Sequence, residues 1–122
     1  MKDHTSLRAW QEARWVSLRV LVLCRDGWKP WAAGLFSQLQ RASLSVQLNI
    51  AEGATFNRSP TYARHLAIAY GSAVETCELI ESGIEVGAID HALGQELQRR
   101  ARLTQQLLLG LLKRHRPMPS GT

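Results

Sequence analysis

The sequence predicts an all-α fold, an up-down-up-down antiparallel four-helix bundle. Apolar residues recur at spacings of three and four along four segments, and short stretches containing Gly, Pro or Asp separate these segments. Connections this short force consecutive helices of roughly 20 to 27 residues to run antiparallel. The 122 residues, 45% of them hydrophobic, fit one domain, which we expect over residues 1–116, followed by a mobile tail at 117–122.

The first two helices are separated by a stretch that neither helix can include. The first helix is predicted from residue 5 or 6 to residue 25, and the sequence DGWKP follows it at 26–30. Gly27 favours a helix C-terminus, and the proline of this stretch cannot continue a helix. The second helix is predicted over 31–53, and residues 54–58 form the next loop.

The third helix has a strong start signal. Ser59 can accept hydrogen bonds from the free amides of a first helical turn, and the ring of Pro60 already has the helical φ angle. The helix is predicted to end at Gly87. Gly71 lies inside it and costs up to about 1 kcal/mol relative to Ala, so we expect a close helix contact there that offsets this cost.

The fourth helix is predicted between Asp90, which caps its start, and Pro117, before which it ends. Leucines and small residues along 93–111 form its apolar seam. Its last turn, KRHR at 113–116, is cationic and complements the helix dipole.

The second helix carries a polar stripe between two apolar edges. The members of the stripe are Gln38, Arg41, Ser45, Asn49 and Glu52. They fall within about 80° of one another at 100° per residue, and Leu44 and Leu48 on one edge are predicted to reach another helix. A stripe that holds Arg, Asn and Glu can be buried only if its members pair. We therefore predict a buried polar network, with Arg41 paired to Glu52, that fixes helix register and a subunit contact.

The chain is basic, and its charge is unevenly distributed. The net charge is +5, with 12 Arg against 3 Lys; residues 1–29 sum to +3, residues 90–122 to +4 and residues 59–89 to −3. The guanidinium fork binds oxyanions such as phosphate bidentately. We therefore predict a nucleic-acid-binding surface of low sequence specificity on the two terminal helices. Its candidate residues are Arg8, Arg14, Arg19, Arg99, Arg100, Arg102, Lys113, Arg114 and Arg116.

No residue pattern in the sequence points to catalysis or to a bound metal. Four glutamates between residues 75 and 85 share one face of the third helix, but the Glu-x-x-His pairs of a di-iron bundle are absent. Cys24 and Cys77 lie in apolar helical patterns typical of buried thiols. The sequence has neither a nucleophile elbow nor a phosphate-binding glycine loop. We expect a nonenzymatic protein with no cofactor and no metal, in which the glutamates are solvated or paired with arginines.

Sequence patterns that indicate a membrane or secretion are also missing. The longest apolar stretches are far shorter than the ~20 residues that a bilayer requires. The N-terminal segment lacks the apolar core of a secretory signal. We therefore expect a cytoplasmic protein that makes no membrane contact.

One segment of the second helix carries a family resemblance. The sequence FSQLQRASLSVQLNIAEG at 36–53 resembles the four-helix-bundle proteins encoded in intervening sequences of bacterial large-subunit ribosomal RNA, and NIAEG is its distinctive part. The sequence LAIAYGSAVE at 66–75, and Trp10 with Ala13, extend the resemblance over almost the whole chain. That family is grouped with the accessory variability proteins of diversity-generating retroelements.

The resemblance implies an assembly and two kinds of partner. Accessory variability proteins associate with a reverse transcriptase and bind nucleic acid, and known family members assemble as cyclic homopentamers. By resemblance we expect a pentameric ring, an accessory role beside a reverse transcriptase, and a nucleic-acid contact from Arg58, because the family has a Gly-Arg loop after NIAEG. The chain departs from the family at Tyr62, where an acidic residue would complete a capping box. It also departs in the loop after NIAEG, which reads TFNR at 55–58 and keeps only the arginine of the family's Gly-Arg pair.

A second function stays open at this point. In a purely structural or protein-binding ring, the same arginines would pair with the glutamates of the third helix. Nucleic-acid binding that weakens steeply as salt rises would separate the first function from the second.

Overall fold

The protein is an all-helical bundle. The computed structural model describes residues 3–56 and 59–115, and these ranges contain helices and turns but no strand. The α-helices are α1 (Arg8–Asp26), α2 (Ala33–Ala54), α3 (Pro60–Glu85) and α4 (His91–His115). A single 3-10 turn precedes α1 at His4–Ser6, and another leads into α2 at Pro30–Ala32. The predicted tail at 117–122, and the candidates Arg58 and Arg116, lie outside the described residues.

The helix ends follow the local signals in the sequence. The hydroxyl of Ser59 accepts a hydrogen bond from the amide of Tyr62 at 3.3 Å, and the carboxylate of Asp90 accepts one from the amide of Leu93 at 3.2 Å. Gly27 is the C-cap of α1. The largest difference from prediction is at the start of α1, because a 3-10 turn occupies residues 4–6.

Neighbouring helices are antiparallel, as the short connections predict. Ser17 of α1 hydrogen-bonds Gln47 of α2, whereas Cys24, further along α1, contacts the carbonyl of Phe36, which lies earlier in α2. The same reversal relates α2 to α3 and α3 to α4. In the described residues, the diagonal pairs α1–α3 and α2–α4 do not bring Cα atoms within 8 Å, so each helix packs on two neighbours.

The core consists of two hydrophobic clusters and a layer of buried hydroxyl residues. One cluster is built around Phe36 and Ile80, the other around Ile50 and Leu66. The hydroxyl layer contains the buried side chains of Ser43, Thr76 and Thr104. Each of these hydroxyls donates to a carbonyl three or four residues earlier in its own helix, at 2.7 to 3.2 Å. The buried hydroxyls are therefore satisfied without a partner from another helix.

The expectation of a close helix contact at Gly71 is wrong within the single chain. Gly71 is exposed, and a Cβ added there would meet no atom within 4 Å. Close helix contacts occur instead at Gly53, where an added Cβ would lie 2.8 Å from Cβ of His65, and at Gly94 of α4, where it would overlap the side chain of Ile84 of α3. Gly53 therefore lets the end of α2 approach the start of α3.

Candidate nucleic-acid interface

An open groove lies between α1 and α4. Its volume is about 590 Å³. Its lining residues are Arg8 and Glu12 from α1 and Gln95, Gln98, Arg99, Arg100, Arg102, Leu103 and Gln106 from α4. Four of the nine candidate arginines and lysines predicted from the terminal helices therefore line one groove.

Three of these arginines have no acidic partner among the described residues. Arg8, Arg99 and Arg102 are exposed. None of them forms an ion pair within the described part of the chain. Arg99 and Arg102 are three residues apart on α4, so their side chains leave neighbouring turns of the same helix. Together they give the groove an excess of positive charge and of hydrogen-bond donors.

Arg100 has a different environment, because its guanidinium already has two partners. Its Nη1 donates to Oε2 of Glu12 at 2.8 Å, and its guanidinium carbon lies 4.5 Å from the centre of the Trp15 ring. The side chains of Arg100 and Glu12 are 30% and 14% exposed. Arg19 also lies over Trp15, at 5.0 Å. Arg100 therefore joins α4 to α1 and is a structural residue of the groove wall.

The remaining predicted candidates among the described residues do not line the groove. The guanidinium of Arg14 is 5.9 Å from the centre of the Trp10 ring on α1. Lys113 and Arg114 are exposed in the last turn of α4. The structure therefore does not bring all the predicted basic residues into a single site.

A second polar region, which we call the α2–α3 seam, is built from Ser45, Asn49, His65 and Ser72. The hydroxyls of Ser45 and Ser72 are 2.8 Å apart. The amide nitrogen of Asn49 donates to the carbonyl of Ser45 at 2.9 Å, so its amide oxygen faces Nδ1 of His65 at 2.9 Å. That oxygen accepts from His65, which places a proton on Nδ1. Half-buried polar groups in the seam thus satisfy one another.

Within the single chain, the prediction that Arg41 pairs with Glu52 in a buried network along α2 is wrong. Arg41 is exposed and its Nη2 donates to Oε2 of Glu75 on α3 at 2.7 Å, and to Oε1 of Gln38 at 2.6 Å. The carboxylate of Glu52 is 65% exposed and lies 3.8 Å from Nδ1 of His65. Residues eleven apart on one helix are about 16 Å apart along its axis, which puts Arg41 out of reach of Glu52. In the single chain, only Ser45 and Asn49 of the stripe take part in the seam.

Sequence reasoning missed the partners of both regions. His65 and Ser72 are seven residues apart on α3, the same spacing that revealed the stripe on α2, so the stripe analysis applied to α3 would have found them. The contact of Trp15 with Arg19 has a local signal, because the two residues are four apart on one helix. The contact of Trp15 with Arg100 has none, since it depends on how α1 and α4 pack.

The described residues contain neither a cluster of metal ligands nor a cysteine with a lowered pKa. No group of three His, Cys, Asp or Glu side chains in ranges 3–56 and 59–115 is placed to hold a metal ion. Burial raises the pKa of the Cys77 thiol to about 11 and also raises the pKa of Cys24, so neither is a ready thiolate at neutral pH. None of the helices described here combines the length and apolar character of a membrane span.

Comparisons with known proteins agree with this fold. Residues 5–110 match a family model described as 23S rRNA-intervening sequence protein. The structure is similar to the crystal structure of a protein with unknown function from the S23 ribosomal protein family of Bacteroides thetaiotaomicron VPI-5482, with a TM-score of 0.75 and 18% identity. That similarity covers 86% of this chain and 98% of the other, and at this identity it supports the fold alone. A search of curated proteins gives no match.

Proposed function

Because this chain belongs to the 23S rRNA-intervening sequence protein family, we propose that it is a nonenzymatic accessory protein that binds nucleic acid through the α1–α4 groove. The observation that carries the proposal is the position of Arg8, Arg99 and Arg102 around one groove, without an acidic partner among the described residues. Guanidinium groups that lack a carboxylate keep their donors for phosphate oxygens.

Electrostatics favours a polyanion in this groove. Four arginines face one glutamate there, and that glutamate is already paired with Arg100. Like charges held close together repel, and a bound phosphate backbone would relieve that repulsion while it releases counterions. Such binding is independent of base sequence, which agrees with the low specificity predicted from the sequence.

The test measures binding as a function of salt. Fluorescence anisotropy with a labelled RNA–DNA hybrid should show binding at low salt that weakens steeply as salt rises. The double substitution Arg99→Gln and Arg102→Gln should reduce the slope of log affinity against log salt by about two, since each lost phosphate contact removes about one unit. The matched control, Arg25→Gln with Arg64→Gln, removes the same charge from exposed positions outside the groove.

Two outcomes would contradict the proposal. One is the absence of binding at low salt. The other is an equal loss of affinity in the groove variant and in the control, because net charge rather than the groove would then explain it. Circular dichroism of both variants establishes that each remains folded.

We further propose that the protein works in a homo-oligomeric ring, a pentamer by resemblance, that docks a reverse transcriptase of a diversity-generating retroelement. The resemblance at residues 36–53 supports this assignment. Leu48 on α2 and Ile68 on α3 are 51% and 47% exposed, which favours their coverage by a neighbour. Light scattering tests the ring, and a monomer would contradict it. Co-purification with a reverse transcriptase encoded beside this gene tests the partner.

The competing function is a structural or protein-binding ring of the ribosomal RNA intervening-sequence type. It would need the basic residues to pair with the glutamates of α3. Among the described residues, Glu75 pairs with Arg41, and none of the groove arginines reaches α3 glutamates. Within the described residues of the single chain the groove arginines have no such partner, so this function would need ion pairs between subunits.

A further inference from the structure

The lining of the α1–α4 groove contains no aromatic side chain among the described residues; it consists of arginines, glutamines, one glutamate and one leucine. Proteins that bind single strands without sequence preference stack the exposed bases on aromatic rings. The ring closest to the groove arginines, Trp15, is half-buried and already in contact with Arg19 and Arg100. The groove is therefore suited to a backbone whose bases are paired and face away.

The glutamines add a second constraint on the ligand. Gln95, Gln98 and Gln106 all line the groove, and each amide can accept as well as donate a hydrogen bond. Phosphate oxygens only accept, so arginine and amide N–H groups satisfy them. An amide oxygen needs a donor, and the sugar-phosphate backbone of DNA has none, whereas RNA offers a 2′-hydroxyl on every sugar.

Gln98 shows this need most directly. The residue is only 5% exposed, and its Nε2 donates to the carbonyl of Cys77 at 3.1 Å. Its Oε1 is buried and has no hydrogen-bond partner within the described residues. An unpaired buried acceptor is costly, so Gln98 would gain a hydrogen bond if its amide oxygen turned towards a donor in the groove.

From these observations, and resting on the proposed nucleic-acid function, we infer that the α1–α4 groove binds the sugar-phosphate backbone of double-stranded RNA, with its arginines on phosphates and its glutamines on 2′-hydroxyls. Double-stranded RNA is recognised in general through phosphates and 2′-hydroxyls across its shallow minor groove rather than through its bases. The inference therefore predicts a preference for RNA over DNA and for duplex over single strand.

The experiment compares four labelled probes of one sequence at low salt: an RNA duplex, a DNA duplex and the single strand of each. Anisotropy should show the RNA duplex binding about fivefold or more tighter than the DNA duplex, the ratio expected from one or two hydrogen bonds. The RNA duplex should also bind more tightly than either single strand.

Three variants assign the preference to the glutamines. Gln98→Met keeps the side-chain length and removes the amide, and the exposed pair Gln95→Met with Gln106→Met does the same without touching the core. Each should lower the RNA-to-DNA ratio, because each weakens RNA binding more than DNA binding. Gln105→Met, on the same helix but outside the groove lining, should leave the ratio unchanged. If Gln98→Met fails to fold, the exposed pair decides.

The possible failures are distinguishable. If no probe binds at low salt, the proposed function itself is wrong. If the DNA duplex binds as tightly as the RNA duplex, or a single strand binds more tightly than either, nucleic-acid binding stands and the inference is overturned. A preference for RNA that stays undiminished in the exposed pair and in any folded Gln98→Met protein would also overturn it.

Discussion

The α2–α3 seam and the α1–α4 groove are both polar, but they differ in what their side chains bond. In the seam, Asn49 bonds Ser45 and His65, so each polar group finds its partner inside the chain. In the groove, Arg99 and Arg102 have no acidic partner within the described residues. Satisfied polar groups hold two helices in register, whereas charges without a partner repel one another and remain available to a ligand or to another subunit. We therefore expect the seam to contribute stability and the groove to contribute the proposed binding.

Removing the central amide of the seam should have the largest effect on stability. Asn49→Ala deletes the bonds to Ser45 and leaves Nδ1 of the half-buried His65 without its acceptor. We expect the free energy of unfolding to fall by about 2 kcal/mol, measured by urea denaturation. Ser37→Ala, at an exposed position on α2, is the control and should change it by less than about 0.5 kcal/mol. Equal values for the two variants would mean that the seam does not stabilise the bundle.

Contacts between near neighbours in the sequence were predictable. The starts of α3 and α4 were predicted because Ser59 and Asp90 accept hydrogen bonds from amides only three residues away. The partner of Arg41 was not predictable in the same way. It depends on which residue of α3 lies opposite, and hence on the register that the whole core sets between two helices.

The same limit applies to the groove. The distribution of charge along the sequence placed Arg99 and Arg102 on a basic surface, but the paired state of Arg100 follows from the packing of α1 on α4. The unpartnered oxygen of Gln98 has no signal in the sequence either, since a glutamine on the inner face of a helix usually finds a bonding partner.

Two glycines test the close approach of α2 to α3. Gly53→Ala places a Cβ 2.8 Å from Cβ of His65, so the two helices must move apart at this point. The substitution should therefore lower the free energy of unfolding by about 1 to 2 kcal/mol. Gly71→Ala meets open space and should raise it by up to about 1 kcal/mol, because alanine favours the helix. Thermal and urea unfolding measure both changes. Effects of the same sign would show that the seam is not closely packed at Gly53.

Neighbouring arginines of α4 should differ in their contribution to stability. Arg100→Gln removes the partner of Glu12, whose side chain is 14% exposed, together with the contact on Trp15, and we expect a loss of about 1 to 2 kcal/mol. Arg99→Gln should change the free energy of unfolding by less than about 0.5 kcal/mol. Urea denaturation of both variants checks the difference, and equal losses would contradict the division of the groove into structural and ligand-binding arginines.

The smallest effect is expected at the edge of the seam, where Arg41 pairs with Glu75. Their side chains are 60% and 40% exposed. Exposed ion pairs contribute between about 0 and 1 kcal/mol. Arg41→Ala should therefore lower the free energy of unfolding by less than about 1 kcal/mol, and by less still at high salt. Urea denaturation at two salt concentrations measures the change. A loss of about 3 kcal/mol that depends on protein concentration would mean that a neighbouring subunit covers the pair. Breaking a buried ion pair leaves one charge buried without its partner, which explains a loss of this size. Stability depends on protein concentration when folding is coupled to association. The same substitution therefore separates an exposed seam edge from a subunit contact in the proposed ring.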